Sequence, residues 1–159
     1  AFMKAFEKDA NIEVYVYGHA DYLRCYYSKK KKDLDLLYSN YSECGQCESV
    51  SYREIINDVK SQTNLPIVMV NFTDSGYCDS SLNISQLVNE FKNKVSFNTL
   101  IFSDNYYVEK IKNINNDIYG EGHYLINTTN LQQRTSNINK EFLMDVVKLI
   151  NNNYKATMK

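Results

Sequence analysis

The sequence predicts an α/β fold, a three-layer, doubly wound, mostly parallel sheet with one antiparallel strand at its edge. Strand-like and helix-like apolar patterns alternate through residues 41–159. The run at 66–72 is apolar nearly throughout, which is typical of a strand covered on both faces. The 159 residues, 43% hydrophobic and 23% charged, are expected to form a single domain, 1–159.

The first forty residues are predicted to contain the end of a helix and an edge hairpin. Residues 1–10, AFMKAFEKDA, have the pattern of the end of an amphipathic helix, so a longer product with an upstream segment is expected. The alternating run NIEVYVYG, 11–18, predicts a strand, and LDLLYSN, 34–40, predicts a second. Too few residues separate them for a crossover helix, so they should pair antiparallel, with the lysine run 29–32 at a solvated tip.

The rest of the chain is predicted to alternate between helices and strands. Ser49 or Ser51 is available as the N-cap of the first helix, and a serine also precedes the second. The predicted helices are 51–62, 80–94, 106–115 and 139–153, and the predicted strands are 66–72, 95–104 and 122–129. The positions expected to face the core from these helices are Ile55, Ile56, Val59, Leu82, Ile84, Leu87, Val88, Phe91, Val108, Ile111, Ile114, Phe142, Leu143, Val146, Val147 and Ile150.

Two of the predicted strands end in an aspartate, Asp74 and Asp104. Ligands of open α/β sheets bind beyond the carboxyl ends of the strands. Asp74 therefore lies where such a sheet binds its ligands. The alternative is that Asp74 only closes a turn, a common use of aspartate.

Several function classes have no support in the sequence. It contains neither glycine-rich phosphate loop and no G-x-S-x-G elbow, and its net charge is −1, so no enzyme activity and no nucleic-acid partner are expected. It has no apolar run of membrane-spanning length and no signal-peptide pattern, so we expect no membrane partner and a location in the cytoplasm or within a larger particle. Of the two histidines, only His19 is placed at a strand's carboxyl end; His123 is at a strand start.

The cysteines offer an alternative site. Cys44 and Cys47 form a C-x-x-C pair, and thiolates at this spacing can share a metal ion. In the predicted topology Cys25, Cys78 and His19 lie in loops at the same sheet edge, so four of these five residues could bind Zn²⁺. The competing interpretation is that these are small buried thiols without a shared ligand.

With its elements in this order, the chain resembles a von Willebrand factor A domain, a Rossmann-like α/β fold. It is most similar to the intracellular branch found beside cobalt-chelatase-type and related AAA+ ATPases. The resemblance spans nearly the whole chain. The segments that carry it are IEVYVYGHAD at 12–21, DLLYS at 35–39, GQCESVSYREII at 45–56, PIVMVNFTDSG at 66–76 and DIYGEGHYLIN at 117–127.

The resemblance implies a metal-ion-dependent adhesion site, in which Mg²⁺ or Mn²⁺ is bound by three loops and completes its coordination with a partner's carboxylate. By position, Asp74 corresponds to the aspartate of the third loop, and Ser49 or Ser51 to the hydroxyl of the second. The partner-binding face would contain His19, Glu48, Ser75, Asp79 and Asp104.

The family's first-loop motif, D-x-S-x-S, does not occur in this sequence. An upstream segment or a second chain is therefore expected to supply the central strand and its ligands. The function expected from the resemblance is a protein–protein interaction module, coupled to an AAA+ ATPase or an assembly subunit. The alternatives are a metal-free structural component of a phage or mobile-element assembly, and a zinc protein using Cys44 and Cys47.

Overall fold

A computed structural model describes residues 11–19, 23–28, 48–74, 76–103, 107–127 and 140–159. The chain divides into two compact units, Ala1–Thr63 and Asn64–Lys159. None of the helices in the described ranges combines the length and the apolar character needed to cross a membrane. The assignment of 1–159 to a single domain stays a prediction, as do the helix end at 1–10 and the loop at 29–32, which lie outside the described residues.

The first unit contains an antiparallel strand pair and a helix. Strand β1 is Val16–His19, strand β2 is Leu23–Tyr27, and helix α1 is Glu48–Gln62. The Tyr17 hydroxyl of β1 donates a hydrogen bond to Asp58 of α1. This hydrogen bond links the strand pair to α1 within the first unit.

Strand β1 has a partner that the sequence did not predict, and the predicted pairing of 11–18 with 34–40 stays a prediction. β1 pairs with β2, inside the segment that the sequence suggested was a polar link, whereas LDLLYSN lies outside the described residues. The three residues between β1 and β2 are a usual length for a hairpin loop, and LRCYY is rich in apolar and aromatic residues. Among the described strands, β1 and β2 form a sheet of their own and not an edge of the parallel sheet.

Helix α1 begins earlier than predicted. Because it starts at Glu48, Ser49 and Ser51 lie within its first turn and neither is the N-cap. The carboxylate of Glu48 suits this position because the helix dipole is positive at the N-terminus. Ile56 and Val59 are buried as predicted.

The second unit is a three-stranded parallel sheet with three helices. The sheet order is β3-β4-β5, so the middle strand pairs with both of the others. This confirms the predicted α/β class and the parallel pairing of these strands. The elements are β3 Ile67–Thr73, α2 Ser81–Phe91, β4 Val95–Phe102, α3 Val108–Tyr119, β5 Tyr124–Asn127 and α4 Lys140–Thr157.

Helices lie on both faces of this sheet. Side chains alternate between the faces of a strand, so Asn98 and Thr99 of β4 point in opposite directions. Asn98 bonds to Asn153 of α4, which places α4 on its side. Tyr124 is the register partner of Thr99 and bonds to α3, and α2 packs against α3, so these two helices cover the other face. β4 is consequently buried nearly throughout.

The predicted core positions are confirmed only in part. Ile84, Leu87, Val88 and Phe91 of α2 are buried, as are Ile111 of α3 and Val146 of α4. The predictions for Leu82, Leu143 and Val147 were wrong, because all three side chains are exposed, Leu82 to 64%. Leu143 and Val147 lie at the margin of an apolar arc that is wider than the strip α4 buries, whereas Leu82 lies on the opposite face of α2 from its buried residues.

Candidate functional site

The carboxyl ends of the parallel strands form the candidate site. Thr73 at the end of β3 is level with Ile101, and Asn127 at the end of β5 is level with Phe102. Asp74 is the next residue after Thr73, so it comes to the level of Phe102 and Asn127. With strands about 4.8 Å apart, Asp74 and Asn127 are separated by two strand spacings, about 10 Å.

Asp74 is exposed, and a turn fixes its carboxylate. The backbone N–H of Gly76 donates a 2.8 Å hydrogen bond to Oδ1 of Asp74. A side chain at position 76 would meet this carboxylate, because an added Cβ would lie 3.0 Å from the same oxygen. The turn therefore holds one oxygen of Asp74, and the described residues give the other oxygen no hydrogen-bond partner.

The residues that follow this turn start helix α2. Ser80 is the N-cap, and its hydroxyl accepts a 3.2 Å hydrogen bond from the Asn83 N–H, as the sequence predicted for a serine before this helix. Asp79 accepts hydrogen bonds from the Ser80 N–H at 2.8 Å and from Nδ2 of Asn83 at 2.7 Å. The Asp79 carboxylate thus stabilises the helix start, which is an ordinary structural role.

The other residues of the predicted divalent-metal site and partner-binding face are placed separately. Glu48, Ser49 and Ser51 belong to α1 of the first unit, where Glu48 and Ser51 are buried, and His19 ends β1. Asp74 and Asp79 belong to the second unit. Ser75 and Asp104 lie outside the described residues.

The alternative zinc site is described at one cysteine only. Cys44 and Cys47 lie outside the described residues, and Cys78 is an exposed cysteine in the loop between β3 and α2. No group of three His, Cys, Asp or Glu side chains that could hold a metal ion occurs within the described ranges. Oxygen donors of Asp74 match the preference of Mg²⁺ and Mn²⁺, but one carboxylate supplies too few ligands.

Sequence reasoning missed a buried polar network between β4 and α4. Nδ2 of Asn153 donates a 3.0 Å hydrogen bond to Oδ1 of Asn98, whose own Nδ2 donates to the carbonyl groups of Met69 and Ser96 at 3.2 and 3.1 Å. A second buried amide, Asn115 of α3, accepts from the Tyr77 hydroxyl at 3.0 Å. An asparagine inside the apolar strand VSFNTLIF is the signal that could have revealed the first pair.

His123 has a structural role at the opposite end of the sheet. Its Nδ1 donates to the Phe97 carbonyl at 3.2 Å, and its own carbonyl accepts from the Thr99 N–H at 3.0 Å. These contacts tie the segment before β5 to β4. The structure agrees with the expectation that His123 stands at the start of a strand, away from the candidate site.

Two pKa shifts occur on the α3 side of the sheet. Burial raises the pKa of the Tyr124 phenol above its usual 10.0. The hydroxyl donates to Oδ1 of Asn116 at 3.1 Å. Nζ of Lys112 donates a 2.9 Å hydrogen bond to Glu109. This bond and the negative charge of Glu109 raise the pKa of Lys112.

Comparison with known proteins assigns no family. No protein-family model matches the chain, and no curated protein is significantly similar to it.

Proposed function

We propose that this chain is a protein-interaction module of the von Willebrand factor A type, which binds a partner protein through Asp74 and a bound divalent cation. The observation that carries the proposal is the geometry of Asp74. Its side chain is exposed at the carboxyl end of β3, with Oδ1 held by the Gly76 N–H. A carboxylate oriented in advance binds a cation or a donor group without a further loss of side-chain entropy.

The cation that fits is a hard one with oxygen ligands, Mg²⁺ or Mn²⁺. Asp74 would hold it together with oxygen donors from another part of the protein or from a second chain. When bound, the cation supplies a positive charge that accepts a carboxylate of the partner protein. Coupling of this binding to an AAA+ ATPase is part of the proposal and rests on the sequence resemblance.

The test is a titration of Mg²⁺ and of Mn²⁺ into the chain, followed by calorimetry and by thermal melting. At a cation concentration of ten times Kd, binding stabilises the folded state by about 1.4 kcal/mol, which raises Tm by about 3–6 °C. Asp74→Asn is the most informative variant, because its amide oxygen can still accept from Gly76 while the charge is lost. Asp74→Ala removes both the charge and the turn.

The matched control is Asp117→Asn, which removes an exposed carboxylate of α3 in the same unit. We expect the control to keep the response to the cation and both Asp74 variants to lose it. A wild-type chain that shows neither heat of binding nor a change in Tm would contradict the metal-dependent form. An equal response in wild type and Asp74→Asn would show that the cation binds elsewhere.

A metal-free structural component of a phage or mobile-element assembly is the second candidate. The turn itself favours it, because a hydrogen bond from Gly76 to Asp74 is what an aspartate does when it only closes a turn. In that case neither wild type nor any variant would respond to the cation, Asp74→Asn would leave stability unchanged, and Asp74→Ala would lower it by about 1 kcal/mol through loss of the turn.

A further inference from the structure

Helix α4 carries an exposed apolar row beside the row that it buries. Val146, Leu149 and Asn153 are buried, whereas Leu143 and Val147 are 42% and 52% exposed. Side chains that follow one another at intervals of three or four residues form a row along one side of a helix. The α4 row, as it is called here, consists of the exposed Leu143, Val147 and Tyr154, the partly exposed Ile150, and Met158, which lies in the turn just after the helix.

The sheet face beneath α4 is also apolar and partly uncovered. Phe72 of β3 is the register partner of Leu100, which lies on the same face as Asn98 and therefore on the α4 side. Phe72 is 58% exposed, and its ring stacks against Phe102 at a centroid distance of 6.4 Å. Phe102 in turn contacts Phe142 of α4. The apolar surface therefore continues from α4 onto the sheet.

The spacing of the α4 row indicates the shape of its occupant. Apolar side chains repeating at intervals of three and four residues pack best against another helix, whose side chains fit between them. An amphipathic helix placed along α4 would contact the α4 row, which extends over about four helical turns. An extended segment has a repeat of two residues and would not match this spacing.

The charges beside the α4 row indicate the chemistry of that helix. Lys148 and Lys155 follow Met144 by four and by eleven residues, so all three lie along one side of the helix. This side flanks the α4 row on the edge that faces away from the buried row. Both lysines are exposed; Lys148 forms an ion pair with Asp145 at 3.1 Å, so Lys155 contributes the larger share of the positive charge on this flank. A partner helix with acidic residues along one edge would complement this flank.

We propose that the α4 row docks an amphipathic helix of another protein, with an apolar face and an acidic flank. A second copy of this chain fits less well, because in an antiparallel pair of α4 helices the lysine flanks would face each other. This docking surface is independent of Asp74, so either proposal can fail without the other.

The probe is a fluorescently labelled synthetic peptide of three heptads, with leucine at positions a and d and glutamate at e and g. Its counterpart carries lysine at e and g. Anisotropy measured with the full chain should show binding of the acidic peptide with Kd on the order of 10–100 μM. The basic peptide should bind at least about tenfold more weakly, and added salt should reduce this difference because the flank is exposed.

Two double variants separate the apolar contribution from the charged one. Leu143→Ser/Val147→Ser leaves the charge unchanged and should weaken binding of both peptides about tenfold or more. Lys148→Glu/Lys155→Glu should weaken binding of the acidic peptide and strengthen that of the basic one, a reversal that general loss of structure cannot produce. Leu82→Glu on α2, also an exposed apolar position, is the control and should bind as wild type does.

Three results would overturn the proposal. The first is no binding of the acidic peptide at about 1 mM. The second is binding that the variants leave unchanged while their circular dichroism remains that of wild type. The third is a dimer of this chain in sedimentation velocity that Val147→Glu dissociates, because a second copy would then be the occupant.

Discussion

Removal of the amide of Asn153 should destabilise the second unit by an amount that its contacts define. Asn98 and Asn153 are 1% and 6% exposed, and Nδ2 of Asn153 lies 3.0 Å from Oδ1 of Asn98. Asn153→Ala takes this donor away and leaves a buried acceptor without its partner. Such a loss costs about 1–3 kcal/mol, and the smaller side chain adds a cavity, so we expect about 2–3 kcal/mol in the free energy of unfolding.

The assay is urea denaturation followed by circular dichroism, because the chain has no tryptophan. A double-mutant cycle with Asn98→Ala isolates the pair. Once Asn98 is absent, Asn153→Ala should cost about 1–2 kcal/mol less than it does in the wild type, since the orphaned acceptor is no longer present. Asn152→Ala, at a neighbouring exposed position of α4, is the control and should stay within about 0.5 kcal/mol of wild type.

Two results would refute this reasoning. A cost of Asn153→Ala below about 0.5 kcal/mol would mean that water replaces the lost donor and that the site is not dry. Strict additivity in the cycle would mean that the two amides do not interact across the interface between β4 and α4, whatever each contributes alone.

Three further predictions concern single groups. Thr99→Val should leave stability unchanged or raise it by up to about 1 kcal/mol in urea denaturation, because Thr99 Oγ1 is the buried side-chain polar atom without a hydrogen bond among the described residues. Gly120→Ala should lower the free energy of unfolding by about 1–3 kcal/mol, because Gly120 has φ 76° and ψ 169°, a backbone conformation that strains any residue with a side chain. An added Cβ would meet nothing within 4 Å, so this cost is backbone strain and not a clash, and the control Glu121→Ala should cost little. Tyr124 should ionise above pH 10.0, measured as the difference between the absorbance titrations of wild type and Tyr124→Phe. Stability should fall as the pH rises through 10.0, because the phenol of the unfolded chain loses its proton at a lower pH than that of the folded chain.

The elements of the second unit follow from local patterns. The apolar run before Asp74 predicts β3, and the serine before an amphipathic pattern predicts α2, because both signals lie within a few neighbouring residues. The Asp74 turn was one of two open alternatives, and its hydrogen bond to Gly76 is a local feature as well. The presence of a cation at Asp74 stays a prediction.

The features that sequence reasoning missed depend on contacts between distant segments. The apolar arc of α4 includes Val146 and Val147 alike, and only the position of the sheet decides that Val146 is buried and Val147 exposed. Strand β2 was not predicted because LRCYY lies inside a segment with polar and charged ends, HADYLRCYYSKKKKD. The bond between Asn98 and Asn153 joins residues 55 positions apart, a distance over which no periodicity operates.

The order of the sheet has a consequence for how the second unit folds. The first register pairs of the two ladders, Ile67 with Val95 and Thr99 with Tyr124, close loops of 28 and 25 residues, from 95 − 67 and 124 − 99. Loop-closure entropy differs by only about 0.1 kcal/mol between such lengths. It therefore does not decide which pairing forms first.

The lengths of the two ladders decide it. The ladder between β3 and β4 has seven register pairs and the one between β4 and β5 has four, so we expect the first ladder to nucleate the unit. β5 and α4 would then join late and open first, and their amides should exchange with solvent faster than those of β4. A partner helix bound to the α4 row would slow this opening, so hydrogen exchange at β5 would report on docking at a distance.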